Sequence, residues 1–178
     1  MTNPLWIPRQ DIENALPYPE LVARLREGFR TGATCPPRMI YDLSETARSK
    51  LLAMPFWKGG VGIGIKVMTS FPGNAAHDIE TGNAVLLIFS EATGRLSAIL
   101  EGKALTQRRT AATSALASTW LSNPASRTLS MLGTGALAPY MVAAHCAVRP
   151  IDRVLLWGRS RDKIQSVVQS LRGLGPQI

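Results

Sequence analysis

Cysteine and histidine each occur only twice in the 178 residues, as Cys35, Cys146, His77 and His145. Two distant cysteines without ligand spacing exclude a disulfide framework and a zinc site, so no metal is expected and both thiols read as packing residues. Acidic residues are also scarce, with 12 Asp and Glu against 20 Lys and Arg, and the net charge of +8 favours anionic partners. Aromatic residues make up 6% of the chain and do not interleave with the basic residues, which are scattered in ones and twos. A stacking platform for nucleic acid is therefore not expected. The opening MTNPLWIPRQD lacks a basic region followed by an apolar run, which argues against export and for a reducing cytoplasm. Residues 129–148 carry no charge, but Gly133, Thr134, Gly135, Pro139 and His145 interrupt the run, so no membrane span is expected there. No internal repeat or low-complexity tract is present.

What is there is a hydrophobic content of 46%, enough for one substantial core and the start of another. Residues 19–29 place Leu21, Val22, Leu25 and Phe29 at helical spacing, and Gly32 closes the period. Residues 38–43 read as a strand, as do residues 61–71, whose glycines indicate close backbone approach or a bulge. Residues 83–90 and 95–100, joined by Glu91-Ala92-Thr93-Gly94, form a hairpin pattern. From Thr106 an Ala-rich stretch suits a tightly packed helix, which Asn123-Pro124 ends. A strand at 128–133, a helix at 136–148, a strand at 153–158 and a helix at 161–172 follow, and the closing GLGPQI reads as a turn with no element after it.

The first of those strands runs into Gly133-Thr134-Gly135-Ala136-Leu137-Ala138, a GxGxxA pattern. In a strand–turn–helix context Gly133 makes the turn, Gly135 admits a pyrophosphate and Ala138 lets helix and strand approach, which is the dinucleotide-binding arrangement. The second strand ends in Trp157-Gly158-Arg159-Ser160-Arg161 with no carboxylate before Asp162. NAD-binding members of this fold use an acidic residue there to hold the ribose hydroxyls. Arg159, Ser160 and Arg161, with Lys163 nearby, instead suit a 2′-phosphate, so NADP is preferred as the cofactor and NAD is possible.

Several passages, in order, resemble the ornithine cyclodeaminase and mu-crystallin family: Pro37-Arg38, GIGIKVMTSFPGN around Lys66, IFSEATGRLSAILEG, LTQRRTAATSALAS around Arg109, GTGALA and VRPIDRVLLWGRS. The resemblance covers almost the whole chain. It implies an α/β protein, with a mixed α+β dimerisation and substrate domain at 1–126 followed by an incomplete Rossmann dinucleotide-binding domain at 127–178. Members interconvert amino acids and imines with a nicotinamide cofactor. Cyclodeaminases convert ornithine to proline with loss of ammonia, ketimine reductases reduce cyclic imines, and mu-crystallin-like relatives serve as binding proteins.

By the same resemblance Arg38 and Arg109 match arginines that hold the substrate carboxylate, and Lys66 matches a catalytic and substrate-binding lysine near the reacting centre. Thr81 matches a threonine near substrate and cofactor, although its DIETGN setting departs from the family pattern, as does Leu137 in the glycine loop. Arg108 reads as a bystander, and His77 and His145 fall on no family position. The implied partners are a small amino acid or cyclic imine and a second copy in a homodimer, with no nucleic acid or membrane. The family's catalytic aspartate would lie beyond Ile178, so the chain reads as the front part of an enzyme, with little turnover by itself and with apolar strand surface exposed around residues 154–157.

Overall fold

The structure is a computed structural model that describes residues 3–178 except Glu45, Ala47 and Asp78. The first residues of the opening segment and Asp78 of DIETGN thus lie outside the described residues. The fold is mixed α/β and divides into two compact units, one formed by Met1–Ala15 and Thr31–Thr106, the other by Leu16–Arg30 and Gln107–Ile178.

The first unit is built on a six-stranded sheet whose order is β1-β6-β5-β4-β3-β2. Its strands are β1 (Leu5–Ile7), β2 (Met39–Ser44), β3 (Ser49–Lys58), β4 (Gly62–Ser70), β5 (Gly82–Phe89) and β6 (Leu96–Glu101). The sheet is mixed, because β1 runs parallel to β6 while every other pairing is antiparallel. The hairpin of β5 and β6 turns where expected, closed by Ser90 N–H donating to Arg95 O and by Gly94 at a φ of +66°. The expected close approach in β4 is at Gly64, where a β-carbon would stand 2.4 Å from the Phe56 ring of the neighbouring strand. Helix α1 (Arg9–Ala15) buries Ile12 and is fixed at its start by Arg9, which lies 3.8 Å from Glu101.

Strand β3 runs through LLAMPFW, which lacks the alternation of a half-exposed strand and contains Pro55. The proline fits because β2 pairs with β3 only as far as Ala53, and the N–H of Trp57, two residues on, points to Thr34 on that same side. The proton missing from Pro55 therefore faces a side without a ladder partner.

In the second unit α2 (Tyr18–Thr31) sets Tyr18, Leu21 and Val22 against Ala111, Ala112, Ala115 and Leu116 of α3 (Gly102–Leu121) and Ala144 of α4 (Ala138–Val148). Alanine at these positions lets helices pack at short range. Phe29, expected on the buried face of α2, is instead 67% exposed, because the helix runs on past its packing partners. Arg108 has a structural role: its Nε donates to Leu16 O at 3.0 Å, and its guanidinium lies 4.4 Å from the Tyr18 ring centre, fastening the start of α2.

A parallel pair follows, β7 (Thr128–Leu132) and β8 (Arg153–Trp157), connected through α4 and followed by α5 (Arg161–Ser170). Ala138, Val142, Val154, Val167 and Leu171 form the core between these strands and helices. This β-α-β-α order is that of a Rossmann-like unit. The closing segment, expected as a turn leading nowhere, returns to the sheet: Gln177 bridges Arg153 in parallel, and Val154 N–H donates to Gln177 O at 2.7 Å. The open edge of β8 supplies the donor for that bridge. Val154 is buried, whereas Leu132, Leu155 and Trp157 are exposed, so part of the expected apolar strand surface is present. No helix among the described residues is long and apolar enough to cross a membrane.

Candidate functional site

The glycine loop lies between the end of β7 and the start of α4. Gly133 adopts a φ of +110°, which a side-chain-bearing residue rarely tolerates, and its N–H donates to Trp157 O at 2.8 Å. The turn therefore holds the ends of both strands in register while redirecting the chain. Helix α4 begins at Ala138, two residues later than expected, because Ala136 and Leu137 complete the turn, and Pro139 occupies its second position, where no intrahelical N–H is needed. Leu137 caps the helix with no side-chain hydrogen bond, so the positive end of the helix is left to backbone N–H groups alone.

Facing this loop is the end of β8. Gly133, Thr134, Gly135, Trp157, Gly158, Arg159, Ser160 and Lys163 line a single pocket of about 530 Å³. A β-carbon built on Gly135 would meet no atom within 4 Å, so the loop leaves open a cradle that a side chain there would fill. Ser160 begins α5, its Oγ accepting from Lys163 N–H at 3.4 Å. Arg159, Arg161 and Lys163 are exposed around it. Of the residues expected to bind cofactor, Gly133, Thr134, Gly135, Arg159 and Ser160 line the pocket, whereas Ala138 is buried in the core beneath it. Trp157 and Gly158 were not singled out from the sequence, although a glycine directly after the second strand was a readable signal. An open glycine cradle at the start of α4, with Arg159 and Lys163 in the same lining, fits the diphosphate of a dinucleotide.

The residues expected to hold substrate belong to different units. In the first unit Lys66 sits in the middle of β4, half-buried, and its Nζ donates to Thr106 Oγ1 at 3.3 Å. Arg38 is exposed immediately before β2, and Thr81 is exposed in the bend before β5, its carbonyl accepting from Phe71 N–H at 2.7 Å. In the second unit Arg109 is exposed on α3. His145 lies on α4 with Nδ1 2.8 Å from Met141 O, a bond internal to the helix. Burial pushes the Cys146 thiol up, as befits a packing residue rather than a nucleophile. Among the described residues no group of three His, Cys, Asp or Glu could hold a metal ion.

The family model of the ornithine cyclodeaminase/mu-crystallin family matches residues 7–178. The chain belongs to this family. A relative from Colwellia psychrerythraea, a delta(1)-pyrroline-2-carboxylate reductase, is 35% identical over 97% of this chain and 55% of its own length. The structure of Thermococcus litoralis delta(1)-pyrroline-2-carboxylate reductase, solved with NADH and L-proline, superposes with a TM-score of 0.88 at 24% identity, covering 98% of this chain and 55% of that one. A lysine cyclodeaminase studied for recognition of L-lysine, L-ornithine and L-2,4-diaminobutyric acid superposes with a TM-score of 0.83 at 26% identity, over 99% of this chain and 55% of that one. The chain thus spans about half the length of the family members it matches.

Proposed function

We propose that this protein is a nicotinamide-dependent oxidoreductase of small amino acids and cyclic imines, acting as a reductase of a cyclic α-imino acid, with deaminating cyclisation of ornithine as the related alternative. The observation that carries the reading is the pocket in which the glycine cradle faces Arg159, Ser160 and Lys163, in a chain 35% identical to a delta(1)-pyrroline-2-carboxylate reductase. NADPH is the preferred cofactor: the rim of the pocket is cationic, and the acidic residue that would favour an unphosphorylated ribose is missing from it. We assign residues 1–126 to the dimerisation and substrate domain and residues 127–178 to the nucleotide domain.

When bound, the reduced nicotinamide supplies a hydride for the imine carbon. The chain's own task is to hold the substrate and manage charge. Arg38 and Arg109 offer planar forks for the carboxylate, Lys66 adds a cation close to the reacting atoms where a proton must reach the imine nitrogen, and Thr81 offers a polar contact. A homodimer is supported by the outermost strand β2, which exposes Met39, Ile40, Tyr41 and Leu43.

The test is NADPH oxidation by the full-length protein with delta(1)-pyrroline-2-carboxylate, beside ornithine deamination with NADP⁺. Imine-dependent loss of NADPH, weakened at least tenfold in kcat/KM by Arg109→Ala, is the expected result, since a charge-assisted carboxylate contact is worth about that much. Ligand binding without turnover of either substrate would return the protein to the non-catalytic branch of its family.

A further inference from the structure

We propose that Thr106 is the positioning residue for the Lys66 ammonium, a role that rests on the reading of Lys66 as the cation at the reacting centre. The start of α3 is fixed before Thr106 is reached. The helix follows β6 without a loop, and the Glu101 carboxylate accepts from Lys103 N–H at 3.0 Å and from Ala104 N–H at 2.7 Å, capping the first turn. Gly102 lies against β5 so closely that a β-carbon would stand 2.6 Å from the Ala84 carbonyl carbon. Two residues along β5 from Ala84 is Leu86, the register partner of Lys66. The close glycine contact thereby brings the first turn of α3 to the level of Lys66.

Thr106 is one turn farther along. Its hydroxyl donates to Gly102 O at 2.6 Å, so its proton is committed and its lone pairs can only accept. Lys66 Nζ, which can only donate, points to that oxygen at 3.3 Å. The direction of both bonds is thus fixed from Lys66 to Thr106 to Gly102. The β-branched side chain of threonine has few rotamers, which makes it a stiffer anchor than the flexible lysine it holds. An ammonium carries three donors, and the bond to Thr106 fixes the direction of one of them.

The experiment compares full-length wild type with Thr106→Val, Thr106→Ala and Thr106→Ser, each also in a Lys66→Ala background. Imine reduction and the labelling rate of Lys66 by an amine-reactive reagent, followed by mass spectrometry, are measured in parallel. Thr106→Val and Thr106→Ala should lower kcat/KM for the imine roughly ten- to hundredfold while leaving KM for NADPH unchanged, and Thr106→Ser should stay within about threefold of wild type. With Lys66 already removed, Thr106→Val should cause no further loss. Lys66 should label faster in the Val and Ala variants and at the wild-type rate in the Ser variant. Undiminished activity in the Val and Ala variants, failure of Ser to restore it, or an equal loss without Lys66 overturns the proposal. If wild type reduces no imine, the functional reading fails on its own and the labelling decides: a faster rate keeps Thr106 as the anchor of Lys66, and an unchanged rate removes it.

Discussion

Gly158 and Thr134 pack so closely that a β-carbon on Gly158 would stand 2.7 Å from the Thr134 methyl group. Gly158 directly follows β8 and Thr134 lies in the glycine loop, so this contact sets the width of the pocket between them. Gly158→Ala should push the Thr134 side chain toward the cofactor and weaken NADPH binding about tenfold, a change of about 1.4 kcal/mol. Adding Thr134→Ser, which removes the clashing methyl, should restore most of the affinity. Calorimetric titration of the two variants checks this, and a Gly158→Ala protein that binds like wild type would show that the loop has room to yield.

The two loop glycines should fail in different ways when replaced by alanine. Gly133 has a φ of +110° but open space around it, so Gly133→Ala should cost about 1–3 kcal/mol of stability through backbone strain. Gly135 has open space and no such φ, so Gly135→Ala should melt at nearly the wild-type temperature yet lose nucleotide affinity by filling the cradle. Thermal melts alongside NADPH titrations separate the two. Equal losses of stability would contradict the division of labour.

These loop positions were legible in the sequence because a glycine pattern between an apolar strand and a helix has few physical meanings. The β5–β6 hairpin and the core of α2 were legible for a similar reason, since turn chemistry and helical spacing are local signals. Strand β3 was not. Its LLAMPFW run has no alternation, and Pro55 argues against a strand unless one knows that β2 begins only at Met39, opposite Ala53, and leaves the Pro55 side without a ladder partner. The four residues added to the front of α3 were hidden too, because the Glu101 carboxylate caps a helix that begins with glycine. Thr106 stood in plain sight within LTQRRTAA, but its relation to Lys66 spans 40 residues of sequence and depends on the register of β4 with β5. Non-local pairing of that kind leaves no local mark.

The Lys103 side chain donates to the Glu80 carboxylate and pairs with it, and this holds the Glu80 carboxyl below its ordinary range. A carboxylate depressed in the folded state stabilises the fold above its unfolded pKa and loses that contribution as pH falls through the folded value. Glu80→Gln should therefore reduce the drop in melting temperature between about pH 6 and about pH 3, where carboxylates titrate. Because the pair is exposed, the difference should shrink in about 1 M salt. Identical acid-side slopes for the variant and wild type at low salt would show that the pair does not contribute.

Cofactor choice provides a test at the other rim of the pocket. Arg159 lines it beside Ser160 and Lys163, and no acidic residue shares that lining. An arginine fork favours a phosphate ester over a pair of ribose hydroxyls, whereas a carboxylate favours the hydroxyls and repels the phosphate. Arg159→Asp should accordingly weaken NADPH and strengthen NADH, inverting the preference by at least about a hundredfold if each arm shifts by about 1.4 kcal/mol. Ser160→Ala should act differently, since Ser160 also caps α5: a loss of about 0.5–2 kcal/mol of stability should accompany any loss of NADPH affinity. Paired titrations with the two reduced cofactors measure both effects. An Arg159→Asp protein that still prefers NADPH would move the recognition of the 2′-phosphate away from Arg159 and onto Ser160 and Lys163.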